Sequence, residues 1–214
     1  MKDSKKAHIA VCVGTHNRPD SLANTLQSLI KLEVPNDTDI SVIVIDNNRV
    51  ETSEQVVLGL KQRSKFNLLY IHEEEIGIVH MRNRALTEAS RIGATHLAFI
   101  DDDEIASTDW IKELYDALIR YEAQVVQGTT ERVLPEGTPN WLVKSNILQL
   151  KRHSTGQIRT SAGTRNVLFD LRFINQHNLR FNPVFNFMGS SDSFFFHQAY
   201  LRKQFLTSRF VEFL

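Results

Sequence analysis

The amino-acid sequence predicts an α/β fold whose doubly wound, mainly parallel sheet is flanked by helices. Apolar runs of β-strand character alternate with helical patterns over residues 1–128, and polar residues follow most of these runs. Strands that alternate with helices of about 10–15 residues are typical of βαβ units, in which consecutive strands run parallel. The alternation stops after Gly128, so residues 129–214 are expected to form a smaller C-terminal portion of the same domain.

Five strands are predicted from the apolar runs, and the second shows the pattern best. Its sequence, ISVIVID, is rich in β-branched residues and unbroken until its final carboxylate, which is typical of a strand covered on both faces. The predicted strands cover residues 8–14, 40–46, 67–72, 95–100 and 124–128. The predicted helices cover residues 19–32, 51–65, 78–91 and 108–121. In the first helix Leu22, Leu26 and Leu29 share one face, and Pro19 suits the first turn.

The composition is that of an ordinary globular protein without disulfides. Of the 214 residues, 42% are hydrophobic and 23% are charged, so a sizeable core can form without a structural metal. Cys12 is the only cysteine, which excludes an intramolecular disulfide and a cysteine-based zinc site. The apolar run after the basic start is too short for a signal peptide or a membrane span, so cytoplasmic residence is expected.

The formal net charge of zero hides a difference between the two parts of the chain. Residues 1–128 contain 14 Lys and Arg against 20 Asp and Glu, whereas residues 129–214 contain 11 against 5. A basic second part suits an anionic substrate, a diphosphate or a membrane surface. Surface charge scattered at random around a neutral mean explains the same counts equally well.

Three adjacent aspartates, Asp101, Asp102 and Asp103, follow the predicted fourth strand. Ligands of parallel sheets bind beyond the carboxyl ends of the strands, which is where this cluster is expected. Like charges so close together repel each other unless a cation neutralises them. Carboxylate oxygens suit Mg²⁺ or Mn²⁺, which proteins commonly share with substrate phosphates. The alternative is a solvated turn in which Asp103 or Ser107 caps the next helix.

Polar residues also follow the first two predicted strands. Asp46 and Asn47 can hold a nucleobase or ribose by hydrogen bonds, or they can form an Asx-type turn before the next helix. Thr15, Asn17 and Arg18 present the same choice between ligand contact and helix capping. No glycine-rich dinucleotide or phosphate-loop motif follows the first strand, and neither an H-E-x-x-H zinc motif nor a serine nucleophile elbow is present.

Four segments of the first part carry a family resemblance. They are Val13–Arg18 (VGTHNR), Val44–Asn48 (VIDNN), Gly77–Ile78 with Met81–Asn83 (MRN), and Phe99–Asp103 (FIDDD) followed by Asp109–Trp110. In order and spacing, across residues 8–128, they resemble the strand-end motifs of the family 2 glycosyltransferases. The resemblance implies a GT-A-type fold, with residues 1–128 as the nucleotide-sugar-binding part and residues 129–214 as the acceptor-side and catalytic-base part.

The second part resembles the same family less closely. Residues 164–169 (TRNVLF) are similar to the segment at the donor–acceptor boundary, and residues 189–192 (GSSD) to a Gly-Glu-Asp motif that supplies the catalytic base. Serine replaces the glutamate at position 191. The portion after this motif looks shortened, and 11 of the 13 phenylalanines lie between Phe169 and Phe213. Exposed phenylalanines there would favour association or a membrane surface.

The resemblance also implies a reaction, namely inverting transfer of a sugar from a nucleotide-diphosphate donor, best a UDP-sugar, to an acceptor hydroxyl. The implied roles are the nucleoside for Thr15, Asn17, Arg18, Asp46 and Asn47, the ribose for Asp101 with support from Asp102, and the metal, Mn²⁺ or Mg²⁺, for Asp103. Arg82 would add positive charge near the phosphates or base, and Asp192 would be the catalytic base. The expected acceptors are a glycan, a lipid-linked molecule or a protein, in a setting such as polysaccharide biosynthesis. No nucleic-acid partner is expected.

Two alternatives remain open at this level. A sugar-phosphate nucleotidyltransferase also combines an α/β sheet, acidic metal ligands and a nucleotide, but it normally has a glycine-rich basic loop after the first strand. A catalytically impaired nucleotide-sugar-binding or assembly protein would agree with the altered GSSD motif and the shortened C-terminal portion. Besides the cytoplasm, peripheral association with the inner face of the membrane is an expected location.

Overall fold

The protein is built around one mixed sheet, seen in a computed structural model that describes residues 6–50, 53–134, 137–145, 154–203 and 209–213. Within these ranges the sheet has seven strands in the order β3-β2-β1-β4-β6-β5-β7. The strands are β1 (Ala7–Thr15), β2 (Thr38–Asp46), β3 (Asn67–His72), β4 (His96–Asp101), β5 (Ala123–Gly128), β6 (Val167–Asp170) and β7 (Arg209–Phe213). All neighbouring pairs are parallel except those that include β6. The predicted mainly parallel sheet is therefore confirmed.

Helices connect the strands and cover the sheet. They are α1 (Pro19–Leu29), α2 (Glu54–Lys61), α3 (Ile78–Arg91), α4 (Trp110–Arg120), α5 (Asn140–Val143), α6 (Leu171–Gln176) and α7 (Ser191–Lys203), with a 3-10 turn at Pro183–Phe185. The four helices predicted in the first part are present. Three of them are shorter than predicted, and the second, expected over residues 51–65, begins after Ser53 and ends at Lys61.

The register of the parallel strands brings their polar ends together. Thr15 is paired with Asp46 across β1 and β2, and Gly14 is paired with Asp101 across β1 and β4. Since parallel strands end at the same edge of a sheet, the polar residues after β1, β2 and β4 meet there. This edge is where the candidate site lies.

Two apolar layers enclose the sheet, one on each face. On one face α1 and α4 bury residues such as Leu22, Leu26 and Ile111 against the strands. On the other face α3 and α7 bury Leu86, Phe195 and their neighbours. Helices on both faces confirm the doubly wound, GT-A-type arrangement expected from the sequence.

Most of the phenylalanines described in the second part are core residues, so the expected exposure of that segment is wrong for them. At most 7% of the surface of each of these five is exposed: Phe169, Phe173, Phe181, Phe195 and Phe196. Phe181 and Phe195 stack with their ring centroids 4.0 Å apart, and Phe169 contacts Phe196 at 5.7 Å. Phe187 is the exception, with 81% of its surface exposed. Among the described residues, no helix is both long enough and apolar enough for a membrane crossing.

Candidate functional site

A cavity of about 440 Å³ opens at the carboxyl edge of the parallel strands. It is lined by six of the residues predicted to bind the donor or its metal, namely Thr15, Arg18, Asn47, Asp101, Asp102 and Asp103. Small-molecule sites in proteins usually have volumes of about 300–1,000 Å³. The cavity is therefore large enough for one substrate of moderate size.

Asp102 is the buried member of the aspartate cluster. Its Oδ2 accepts a hydrogen bond from Thr15 Oγ1 at 2.7 Å, and only 6% of its surface is exposed. Arg18 Nη1 lies 3.4 Å from Asp102 Oδ1 and donates to Asp103 Oδ2 at 2.9 Å. Asp102 thus ties the end of β1 to the end of β4, and Arg18 places a positive charge beside both aspartates.

Asp101 and the neighbouring Glu104 both have raised pKa values. Desolvation in the cavity wall raises the pKa of Asp101, and the charge of Asp103 raises it further, while Arg82 opposes both. Burial raises the pKa of Glu104 to about 7; a hydrogen bond from the Asp101 backbone opposes this shift, and the charge of the Asp101 carboxylate adds to it. The Asp101 backbone N–H donates to Glu104 Oε2 at 3.2 Å. Glu104 was not among the predicted site residues, although its position directly after the three aspartates was a signal.

The donor set fits a hard divalent cation that shares its ligands with a substrate. The cavity wall concentrates negative charge from Asp101 and Asp103, which such a cation would relieve. No group of three or more His, Cys, Asp or Glu side chains in the described part of the chain could hold a metal alone. Mg²⁺ is typically held by one or two carboxylates plus phosphate oxygens, so a donor diphosphate would complete its coordination.

Asp46 lies outside the cavity lining and is fully buried. Its Oδ1 accepts from Asn48 Nδ2 at 2.7 Å, and its Oδ2 accepts from the Ser53 backbone N–H at 3.0 Å and from Tyr70 OH at 2.9 Å. These bonds hold the connection between β2 and α2, as an Asx-type turn would. Because Asp46 does not line this cavity, the nucleoside role implied for it stays a prediction.

Asn47, by contrast, lines the cavity and organises its wall. Its Nδ2 donates to the backbone carbonyls of Glu73 and Glu75, and its Oδ1 accepts from the Gly77 N–H at 2.7 Å. Asn17, which was also predicted to bind the donor, is exposed, has a φ of 55° and is not part of the cavity lining. Asn17 therefore shapes the turn after β1, since asparagine tolerates this left-handed conformation.

Arg82 is buried behind the cavity rather than in its wall, with 8% of its surface exposed. Its guanidinium donates to Ser191 Oγ at 2.6 Å and to Thr164 Oγ1, and it lies 5.5 Å from the ring centroid of Phe181. Burial lowers the pKa of Arg82, and the charges of Asp192 and Asp101 oppose that shift. Arg82 joins α3 to the two second-part segments singled out in the sequence, including Ser191 in place of the usual glutamate.

Asp192 lies in the first turn of α7, beside that arginine. Its Oδ1 accepts from the Ser193 backbone N–H at 2.8 Å, and the side chain is half-buried. Asp192 does not line the cavity, but Asn186 and Phe187, a few residues before it, do. The two parts of the chain therefore meet at the cavity, and Arg82 interacts electrostatically with both Asp192 and Asp101.

The chain matches the model of glycosyl transferase family 2 over residues 10–195. It belongs to this family. The match includes the aspartate cluster, the residues around Arg82 and Asp192, and every strand except the last. The family resemblance identified in the sequence is thereby confirmed.

Comparisons with individual proteins agree with this family assignment. The succinoglycan biosynthesis protein ExoM of Rhizobium meliloti is 32% identical over 195 residues, which cover 88% of this chain and 60% of ExoM. The crystal structure of residues 1–349 of S. aureus TarS has a TM-score of 0.73 at 19% identity, covering 96% of this chain and 58% of that one. The mannosyltransferase PcManGT of Pyrobaculum calidifontis, solved with GDP-Man and Mn²⁺, has a TM-score of 0.66 at 16% identity, covering 95% and 54%. The chain thus spans somewhat over half the length of these relatives.

Trp110 belongs to the Asp109–Trp110 segment of the family resemblance and has a structural role. Its indole Nε1–H donates to Asn166 Oδ1 at 2.7 Å, while Asn166 Nδ2 donates to the Thr129 carbonyl at 2.6 Å. Asn166 has a φ of 48° and precedes β6. Trp110 therefore holds the entry to β6 and takes no part in the 440 Å³ cavity.

Proposed function

We propose that the protein transfers a sugar from a nucleotide-diphosphate donor to an acceptor hydroxyl, with inversion at the anomeric carbon. The observation that carries this proposal is the gathering of Thr15, Arg18, Asn47 and the aspartate cluster around one cavity of donor size. The family match supports the reaction class. A nucleotidyltransferase or a binding protein without activity is less well supported, since the match extends through the segment of Asp192.

In the proposed complex the nucleoside lies at the Thr15 and Asn47 end of the cavity. Asp101 accepts hydrogen bonds from the ribose, and Asp103 with the donor diphosphate would hold Mn²⁺ or Mg²⁺. When bound, that cation supplies Lewis-acid stabilisation to the charge that develops on the leaving diphosphate. Arg18 must exchange at least part of its contact with Asp103 for a contact with the donor, because the arginine otherwise competes for the same oxygen.

Asp192 is the proposed catalytic base. The acceptor oxygen forms a bond to the anomeric carbon as the bond from that carbon to the diphosphate breaks, and the hydroxyl proton passes to the Asp192 carboxylate. The acceptor would therefore bind next to the start of α7, where Asp192 lies. Arg82 fixes the start of α7 through Ser191 and thereby keeps the adjacent Asp192 near the guanidinium.

The choice of substrates rests on the relatives. TarS has been solved with UDP and with UDP-GlcNAc, which supports a UDP-sugar as donor, and PcManGT with GDP-Man and Mn²⁺ supports a divalent cation. The name of ExoM supports a growing polysaccharide as acceptor, ahead of a lipid-linked molecule or a protein. Residues 129–214 contain more Lys and Arg than Asp and Glu, which supports binding of an anionic or lipid-linked acceptor at the inner face of the membrane.

The proposal is tested with Asp103→Asn and Asp192→Asn, with Asp116→Asn as the charge-matched control on α4. Calorimetry with UDP should show tighter binding when Mn²⁺ is present for the wild type, the control and the Asp192 variant. Asp103→Asn should remove that metal-dependent gain. Donor hydrolysis should be lost in both the Asp103 and Asp192 variants, because one lacks a metal ligand and the other lacks the base.

Two results would contradict the assignments. Equal UDP affinity with and without Mn²⁺, unchanged in Asp103→Asn, would remove the metal from the mechanism. Wild-type protein that binds a nucleotide-sugar but never releases its sugar to water or to an acceptor would favour the binding-protein alternative.

A further inference from the structure

Residues 182–188, here called the rim segment, come from the second part of the chain and contribute Asn186 and Phe187 to the cavity lining. A 3-10 turn at its centre begins where Asn182 Oδ1 accepts from the Val184 N–H at 3.0 Å. The ring of Phe185 packs against Phe194 of α7 with centroids 4.8 Å apart. The rim segment is therefore anchored to the helix that carries Asp192.

Asn186 fixes the rim segment to the first part of the chain. Its Oδ1 accepts from the Val79 N–H, and its Nδ2 donates to the Ile76 carbonyl, each at 3.1 Å. Gly77 lies between these two partners with a φ of 137°, and a Cβ atom there would collide with the Asn186 side chain. Asn47 binds the same loop from the opposite side through the Gly77 N–H. The rim segment is thus joined to the Gly77 loop by two hydrogen bonds of the Asn186 side chain and by its close approach to one glycine.

Phe187 follows this anchor directly and lies at the cavity. It belongs to the lining, yet 81% of its surface is exposed, whereas five other phenylalanines of the second part are buried. Isolated exposed hydrophobic residues are common on protein surfaces. Phe187 differs from them because its backbone is held by Asn186 and because it shares one cavity with the aspartate cluster.

We infer that Phe187 binds the transferred sugar of the donor by stacking against the carbon–hydrogen face of its ring, and that Asn186 is the positioning residue that holds it there. This inference rests on the proposed function. The cavity of about 440 Å³ has room for one donor, so the ring that reaches Phe187 belongs to the molecule whose diphosphate lies at Asp101 and Asp103. Polar groups at one wall and an aromatic ring at the other are the usual composition of such sites.

The test compares a nucleotide with its nucleotide-sugar. Phe187→Ala should weaken binding of UDP-N-acetylglucosamine by about 3- to 10-fold and leave binding of UDP unchanged, since stacking adds only where the sugar is present. Phe187→Tyr, which keeps the ring, should restore the affinity. The melting temperature should not change, because the side chain is exposed. GDP and GDP-mannose serve as a second probe pair measured in the same way.

Two further variants separate contact from positioning. Val184→Ala removes another exposed apolar side chain of the rim segment, outside the cavity lining, and should change neither affinity. Asn186→Ala should weaken the nucleotide and the nucleotide-sugar alike, because it frees the Gly77 loop as well as Phe187.

The inference is overturned if Phe187→Ala binds the nucleotide-sugar as tightly as the wild type, or if it loses UDP affinity to the same extent. Wild-type protein that binds none of the four nucleotides would instead refute the proposed function and this inference with it.

Discussion

Burial and neighbouring carboxylate charges raise the pKa values of Glu104 and Asp101, which follow each other closely in the chain. Glu104 has a pKa of about 7 because it is half-buried and faces Asp101, and the pKa of Asp101 is itself raised. A divalent cation in the cavity would lower both values, since it would offset the carboxylate charge. The pKa of Glu104 should therefore fall when a cation binds in the cavity.

The first prediction concerns the pH dependence of stability. Between about pH 4.5 and pH 7 the folded protein holds a proton on Glu104 that the unfolded chain has lost, so this group makes stability fall as pH rises. Glu104→Gln removes that contribution. The melting temperature of the variant minus that of the wild type should therefore increase from pH 5 to pH 8, as measured by calorimetry.

Subtraction is needed here because His96 acts in the opposite direction. Burial lowers the pKa of His96 to about 4, so the stability that its neutral form contributes is lost as pH falls below about 6.5. This effect is common to both proteins and cancels in the difference. Glu33→Gln, at an exposed position, is the matched control and should give a small difference. A flat curve for Glu104→Gln would show that Glu104 is ionised like a surface glutamate.

Among the elements, the connection between β2 and α2 shows how one carboxylate can hold a loop. The buried Asp46 accepts from a backbone N–H, an amide and a phenol, drawn from the loop, the start of α2 and β3. Asn47 then continues from Asp46 into the cavity wall. The loop therefore transmits the position of the buried carboxylate to the donor site.

The second prediction belongs to this loop. Asp46→Ala removes the acceptor of these three hydrogen bonds and should lower the free energy of unfolding by about 2–4 kcal/mol. Tyr70→Phe, which removes a single donor, should cost about 1 kcal/mol. Urea unfolding followed by circular dichroism measures both changes. If Asp46→Ala kept its stability and lost only UDP affinity, the nucleoside role implied by the family resemblance would be correct after all.

Local sequence patterns predicted elements better than the orientation of their side chains. The run at residues 40–46 and the proline at position 19 favour a strand and a helix start through local backbone preferences, and both were found. The direction of a side chain depends on partners that are distant in sequence. Asp46 points inward because Tyr70 and Ser53 donate hydrogen bonds to its carboxylate. Arg82 donates to Thr164 and Ser191, which follow it in the chain by 82 and 109 residues.

At the scale of the whole molecule the two parts of the chain share one sheet. β6 lies between β4 and β5 and runs antiparallel to both, with Leu168 paired to Ala98 on one side and to Val126 on the other. Phe169 buries its ring beneath α7. The three-residue apolar run of β6 was too short to predict as a strand, and no local signal places it between β4 and β5.

The third prediction follows from that arrangement. Residues 1–128 contain β1 to β5 but not β6, so this fragment should expose the edge of β4 and the apolar face that α7 covers. It should show no cooperative thermal transition and should bind a hydrophobic dye. Co-expression with residues 129–214 should restore the transition, because the second fragment supplies β6. A sharp transition in the first fragment alone would make the nucleotide-sugar-binding part an independent folding unit.

The place of β5 in the sheet also has a consequence for synthesis on the ribosome. Both hydrogen-bonding neighbours of β5 lie later in the chain, and the nearer one, β6, begins only at Val167. At about 5–20 residues per second, β5 waits roughly 2–8 s after Gly128 is made before a partner strand exists. During that interval a Val-rich strand has two open edges, while β1 to β4 can already pair. We expect nascent chains stalled between these two points to be those most readily captured by chaperones or by one another.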